Sequence, residues 1–364
     1  MSLSEDEATF PKFVRVKTYR NLLFKRGTTV AAVVAGALVG LAATNGVRPD
    51  RTVVVVAPAL ATAVGLPHRL EPSAALAAAP AAKHAPVRRA ALRATISLYE
   101  HTTAPSVLRR QGCSAAKRGV GGIVILDFGQ PAYNGHTYGT NLFSGRFAGN
   151  AEITRGLLGY SRGYAYCLRR RSKLSITLAR GTSNYHPAVP NAYKAGHKWA
   201  RETMTLGHLL RQYGLDGHVV SAAADDVEPA WDRSFHRTRD FFRGYRAADT
   251  GHLLYNYGSL DGGVGSIWNA RQAFFVTSGM KYARAIPEIY NHAMARQWAE
   301  LAHIAKHRYH RPLQFAGVMT THTSGRGGMK PRDAHSSLVR ALAGRVGSGA
   351  PEVPPTLTNI RSAQ

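Results

Sequence analysis

Between residues 121 and 323, short apolar runs alternate with stretches of helical periodicity. This alternation restricts the chain to a parallel sheet covered by helices. GGIVILDFGQP (121–131) is an apolar run closed by polar residues, the pattern of a strand buried on both faces. KLSITLARGTSNY (173–185), GHVVSAAADDVEPAW (217–231), HLLYNYGSLDGG (252–263), QAFFVTSG (272–279) and LQFAGVMTTHT (313–323) repeat that pattern. Helices are expected between them at 150–170, 190–213, 234–248 and 287–308, the last opened by Pro287 at a favoured first helical position. Extra strands are expected at ATISLYE (94–100) or near the C-terminus.

Two nucleotide-binding signatures are missing. DFGQPAYNG, after the first run, lacks G-x-G-x-x-G, and no G-x-x-x-x-G-K-[ST] occurs. The expectation is therefore an α/β fold of the (β/α) TIM-type barrel class. Six clear runs, where eight are needed, make that barrel irregular or incomplete. It spans 96–345 and is followed by a tail, 346–364.

The N-terminal quarter is different. Residues 1–26 carry Lys12, Arg15, Lys17, Arg20, Lys25 and Arg26, and read as a basic cytoplasmic tail. Residues 27–47 contain twenty uncharged residues, TTVAAVVAGALVGLAATNGV, enough for a membrane-spanning helix; a cleaved signal segment is the alternative. Residues 48–95 are rich in Ala and Pro and read as a linker. Either reading of the apolar segment exports the domain. The expected location is thus the cell membrane with the domain outside it, or the secreted fraction.

The net charge of +26 favours polyanions, and outside the membrane these are anionic wall polymers or lipid head groups. No nucleic-acid motif is present and no nucleic acid is expected. Two cysteines, Cys113 and Cys167, are too few for a zinc site or a disulfide scaffold. Both fall at the N-terminal end of the expected sheet, where one disulfide or two free buried thiols would fit. His303 and His307 stand four apart on an expected helix, a spacing compatible with a metal but more common on a plain surface face. No metal and no cofactor is expected.

In a parallel barrel the chemistry gathers where strands end. Asp127 and Gln130 close the first run, and Asn184 closes the second. Asp225, Asp226, Glu228 and Trp231 follow the third, and Tyr255, Tyr257 and Asp261 the fourth. Asp226 and Glu228 lie two apart on a strand and so share a side. Paired carboxylates suit acid–base work, because the charge on one holds a proton on the other. Asp127, Asp226 and Glu228 are the expected catalytic set. Gln130, Asn184, Trp231, Tyr255 and Tyr257 are the expected substrate contacts, with aromatic rings as sugar platforms. Asp225 is expected to cap a helix or lie exposed, and Asp261 to shape a turn.

DFGQP, ARGTSNY, DDVEPAW, YNYGSLDG, IPEIYNHAMARQWAEL and FAGVMTTHT together resemble an actinobacterial-type family of exported proteins. Its domain is a glycoside-hydrolase-like (β/α) barrel, loosely similar to lysozyme-like cell-wall hydrolases. The resemblance covers about 120–340 and implies a protein acting on or binding cell-envelope polysaccharide. Departures are visible: no complete D-x-x-D-x-D-x-E sequence occurs, and Asp225 and Asp226 are adjacent where that motif alternates. The alternatives are a non-catalytic barrel binding glycan or polyanion, and a metal-dependent hydrolase. The second would draw on Asp127, Asp226, Glu228, His136, His186 and His322, although no H-x-H or H-E-x-x-H occurs.

Overall fold

The computed structural model describes residues 93–168, 173–249, 251–323 and 326–363. The expected tail, membrane segment and nearly all of the linker lie outside these residues. Among the described residues no helix is long and apolar enough to cross a membrane.

The chain order is β1 (Arg93–Tyr99), α1 (Pro105–Lys117), β2 (Gly122–Asp127) and a small antiparallel sheet of β3 (Gln130–Tyr133), β4 (Tyr138–Asn141) and β5 (Phe147–Gly149). Then come α2 (Asn150–Cys167), β6 (Ile176–Ser183), α3 (Ala192–Gln212), β7 (Val219–Asp226), α4 (His236–Ala248) and β8 (Leu254–Asn256). After these stand α5 (Ala270–Phe274), β9 (Ala283–Ala285), α6 (His292–Tyr309), β10 (Val318–Thr320), the two-residue strands β11 (His322–Thr323) and β12 (Arg326–Gly327), α7 (Pro331–Val346) and β13 (Thr356–Ser362).

Eight of these strands form one parallel sheet in the order β10-β13-β1-β2-β6-β7-β8-β9. The sheet curls into an incomplete barrel. Its two edges meet through isolated parallel bridges, Ala285↔Phe315 and Glu288↔Met319, rather than through a full ladder. Around these, Met319 N–H donates to Pro287 O and Ile289 N–H to Met319 O, each at 2.9 Å.

Side-chain alternation divides the strands into two faces. Ile123, Ile125, Ala179, Ala222, Ala224, Tyr255, Ile286, Met319 and Ile360 cluster inside the curl. Val124, Leu126, Leu178 and Ala223 face outward and pack beneath the surrounding helices. Burying each large aliphatic side chain contributes about 1.5–3 kcal/mol. Both faces of the central strands are therefore apolar, which is why they read as unbroken runs.

Helices α1 and α2 pack backbone to backbone. A Cβ on Gly163 would stand 1.9 Å from Arg109 O, so only glycine permits the contact. Cys113 and Cys167 are joined by a disulfide across this pair, with Cα atoms 5.0 Å apart. Of the two cysteine readings, the bridge is the one present.

Three expectations are corrected. QAFFVTSG is not a strand. It forms α5 and a π-helical turn, Phe275–Gly279, begun by a capping box in which Asn269 Oδ1 accepts from Gln272 N at 3.1 Å and Gln272 Oε1 from Asn269 N at 2.8 Å. The wall strand there is β9, further along the chain. The helix expected from Pro287 begins at His292, with the Asn291 side chain accepting from Met294 N; residues 287–289 continue the wall. The segment 346–364 is not a tail, because β13 runs between β10 and β1. The other predicted strand is also present, as β1.

Candidate functional site

All eight strands point the same way, so their C-terminal ends open on one rim. Asp127 ends β2, and Asp226 ends β7. Both continue the inward alternation, Asp127 after Ile123 and Ile125, Asp226 after Ala222 and Ala224. Glu228 follows two residues later. Glu288 extends the wall past β9, on the inward phase of Ile286. Asp127, Asp226 and Glu288 are 1%, 6% and 3% exposed, and Glu228 is half-buried.

The carboxylates act on one another. Burial drives the Asp226 carboxyl well above its ordinary range, and Glu288, Glu228, Asp127 and Asp225 push it further in the same direction. All of these favour the protonated form of Asp226. Burial also pushes Asp127 up to about 7, opposed by the Gly129 N–H, which donates to its Oδ1 at 2.8 Å. The charge of Asp225 raises Asp127 further.

Tyrosines line the same mouth. Tyr290 Oη donates to Glu288 Oε1. Burial first, then the negative charge of Glu288, raises Tyr290 far above the phenolic range, so it stays a donor. Tyr257 Oη lies 3.1 Å from Thr182 O and also hydrogen-bonds the Asp127 carboxyl; one hydroxyl proton serves either acceptor. Gly181 makes room for this arrangement. A Cβ there would stand 2.9 Å from Asp127 Cα and 3.1 Å from Tyr257 Oη. At the outer edge, Tyr99 meets Phe143 edge-on with ring centres 5.0 Å apart, and Phe143 is 46% exposed.

The expected substrate contacts fare differently. Gln130 is exposed on β3, and Trp231 is half-buried in the short 3-10 turn Pro229–Asp232. Tyr255 and Tyr257 are corrected: they are 3% and 0% exposed, inside the curl, and offer no face to a sugar. Asn184 is corrected too. It is buried, and both ends of its amide are engaged with the Glu228 peptide: Oδ1 accepts from Glu228 N at 2.9 Å, and Nδ2 donates to Glu228 O at 3.1 Å. Asn184 thus positions Glu228 rather than reaching into the mouth.

Asp225 is neither a cap nor exposed. It points outward from β7 and pairs with His186 Nε2 at 3.0 Å, both side chains fully buried and His186 stacked on Phe241. Asp261 is a turn residue at φ +42°, and its Oδ2 accepts from Ala230 N. His136 lies in the exposed β3–β4 turn, and His322 Nδ1 meets Gly328 O. Among the described residues no group of three or more His, Cys, Asp or Glu has metal-holding geometry. His303 and His307 face each other on α6 with ring centres 4.5 Å apart.

Sequence reasoning missed Glu288 and Tyr290. Placing the helix start at Pro287 put them in a first helical turn. The signal against this was Asn291, a better N-cap than anything before Pro287. It missed Phe143 as well, in a hairpin that carries no apolar pattern.

In comparisons with protein-family models, curated proteins and solved structures, nothing matches this chain.

Proposed function

We propose that this is a glycoside-hydrolase-like TIM-type barrel protein that acts on or binds cell-envelope polysaccharide through carboxylate acid–base chemistry. The observation that carries the proposal is the mutual electrostatic pressure of Asp127, Asp226, Glu228 and Glu288 at the sheet's C-terminal mouth. Burying several carboxylates together costs stability, and such arrangements cluster at sites where proton transfer is needed.

Glu228 stands at the half-buried edge, within reach of an entering sugar, and serves as the general acid. Asp226 sits behind it, its carboxyl pushed up by burial and by its acidic neighbours, and tunes it. Asp127 completes the acidic floor. Phe143 and Tyr99 offer aromatic surface at the entrance. The proposed setting is the outer side of the membrane, with residues 27–47 as anchor or signal segment. There the net charge of +26 draws the protein to anionic wall polymers.

The test is incubation of the full chain with peptidoglycan and other envelope glycans, assayed for new reducing ends. Wild type should release them. Glu228→Gln should lower the rate at least about 100-fold, the usual scale for loss of a general acid. Full activity in Glu228→Gln removes Glu228 as the acid. Glycan binding without release in wild type supports the non-catalytic reading instead.

A further inference from the structure

Two neighbouring inward groups at the mouth have no hydrogen-bond partner. They are Asp226 Oδ1 and Ser183 Oγ, on side chains 6% and 4% exposed. Ser183 and Asp226 are paired in register across β6 and β7, and Ser183 continues the inward phase of Ala179. A buried polar atom without a partner is costly, so two in register mark a place where a ligand group is received.

The charge around this place is of one sign. The groups that act on Asp226 are Glu288, Glu228, Asp127 and Asp225. The hydroxyls nearby are phenolic: Tyr257 beside Asp127 and Tyr290 on Glu288. A uronate, a lactyl carboxylate or a phosphate brought here would face carboxylates at close range. The +26 of the whole chain does not offset this, because exposed charges are screened beyond about 8–10 Å. The exterior and the mouth therefore select opposite charges.

We infer that the mouth receives a glycan carrying a free amine, an amino sugar without its acyl group, seated against Asp226 and Ser183. This rests on the glycan reading proposed above. An ammonium donates to Asp226 Oδ1 and to the lone pairs of Ser183 Oγ. The serine proton is then free to turn towards a sugar oxygen. Burial and mutual repulsion raise the Asp226 carboxyl, so seating a cation against it favours its ionised form and releases a proton. Affinity accordingly rises with pH as the carboxyl ionises and falls again once the amine loses its own proton.

The experiment uses the full chain and three tetrasaccharide probes of equal length: glucosamine, N-acetylglucosamine and galacturonate. Calorimetry at pH 7 should show the glucosamine oligomer binding at least tenfold more tightly than the N-acetylated one, with proton release that varies with buffer ionisation enthalpy. Asp226→Asn should bring the ratio of the two affinities towards one, and Ser183→Ala should lower it about threefold. Galacturonate should bind only in a salt-sensitive manner that Asp226→Asn does not change, as expected of the outer surface. Equal or tighter binding of the N-acetylated oligomer overturns the amine inference and leaves the glycan reading standing. Binding of neither amino-sugar oligomer overturns both.

Discussion

Asn184 grips the Glu228 peptide from both sides, accepting from its N–H at 2.9 Å and donating to its carbonyl at 3.1 Å. The β7 ladder ends at Asp226, so the Glu228 peptide has no strand partner, and the asparagine side chain takes that place. A second bond ties the same two segments, from Asn184 N to Asp226 O at 3.0 Å, and the buried His186–Asp225 pair adds a third link. The exits of β6 and β7 are stapled together, and Glu228 inherits its position from the staple.

Asn184→Ala should therefore destabilise the fold by about 1–3 kcal/mol, since the Glu228 N–H loses its acceptor while its carbonyl keeps only Trp231 N–H, at 3.0 Å. It should also lower hydrolysis at least about tenfold while the far-UV spectrum is retained. Asn184→Asp, which keeps the acceptor for Glu228 N–H, should lie between the two. Wild-type turnover in Asn184→Ala would show that Glu228 is held by something else.

The buried carboxyls predict an unusual stability profile. Asp127 and Glu100 are each pushed up to about 7, chiefly by burial, from ordinary values near 4. In that interval the folded state binds more protons than the unfolded state, so stability falls as pH rises. The contribution is fully present below about pH 4 and is lost as pH climbs through about 7. Asp127→Asn keeps an acceptor for the Gly129 N–H and carries no charge. It should melt higher than wild type at pH 8, by several degrees, and no higher at pH 4. Thermal unfolding at the two pH values decides this. An equal difference at both would mean that Asp127 ionises as an ordinary surface carboxylate does.

The parallel sheet was legible because β2, β6 and β7 are buried on both faces and read as apolar runs. The short strands were not. β8, β9 and β10 have three residues each, too few for any period to show. The mistaken strand at 272–279 has the apolar density of a wall strand, but its Asn269–Gln272 capping box belongs to a helix start. The site was partly readable. The spacing of Asp226 and Glu228 fixes a shared side wherever the backbone is extended. The Glu288–Tyr290 pair depended on knowing that Pro287 lies in the wall. The orientation of Tyr255 and Tyr257 depended on which face of β8 looks inward, and a strand of three residues cannot announce that.

The Cys113–Cys167 bridge closes 54 residues of chain and ties α1 to α2 where glycines already bring the backbones together. A loop of that size predicts about 2–4 kcal/mol of stabilisation. Double replacement by alanine should lower the melting temperature by roughly 5–15 °C at the size of this domain, and dithiothreitol should do the same to wild type. Because the bridge lies far along α1 and at the end of α2, away from the strand exits, glycan binding below the transition should be unchanged. A melt indifferent to reductant would contradict the bridge.

Glu288 supplies the last prediction. It stands first among the charges acting on Asp226, ahead of Glu228. It is also the acceptor for Tyr290, whose proton stays in place because burial and the adjacent negative charge both oppose its loss. A phenolic hydrogen bond to a carboxylate favours its charged form. Negative charge on Glu288 favours the protonated form of Asp226, directly behind Glu228. Glu288→Gln removes the charge with little change of shape, so Asp226 should ionise at lower pH. The alkaline limb of the pH–rate profile should then move down by about one unit, and the rate at pH 7 should fall about tenfold or more. Tyr290→Phe keeps the charge and removes only the donor. It should shift the limb in the same direction but by less, because an unassisted carboxylate takes up a proton more readily and so presses less on Asp226. The comparison separates charge from packing: a purely structural Glu288 would lower the melting temperature in both variants and leave both pH profiles where they were.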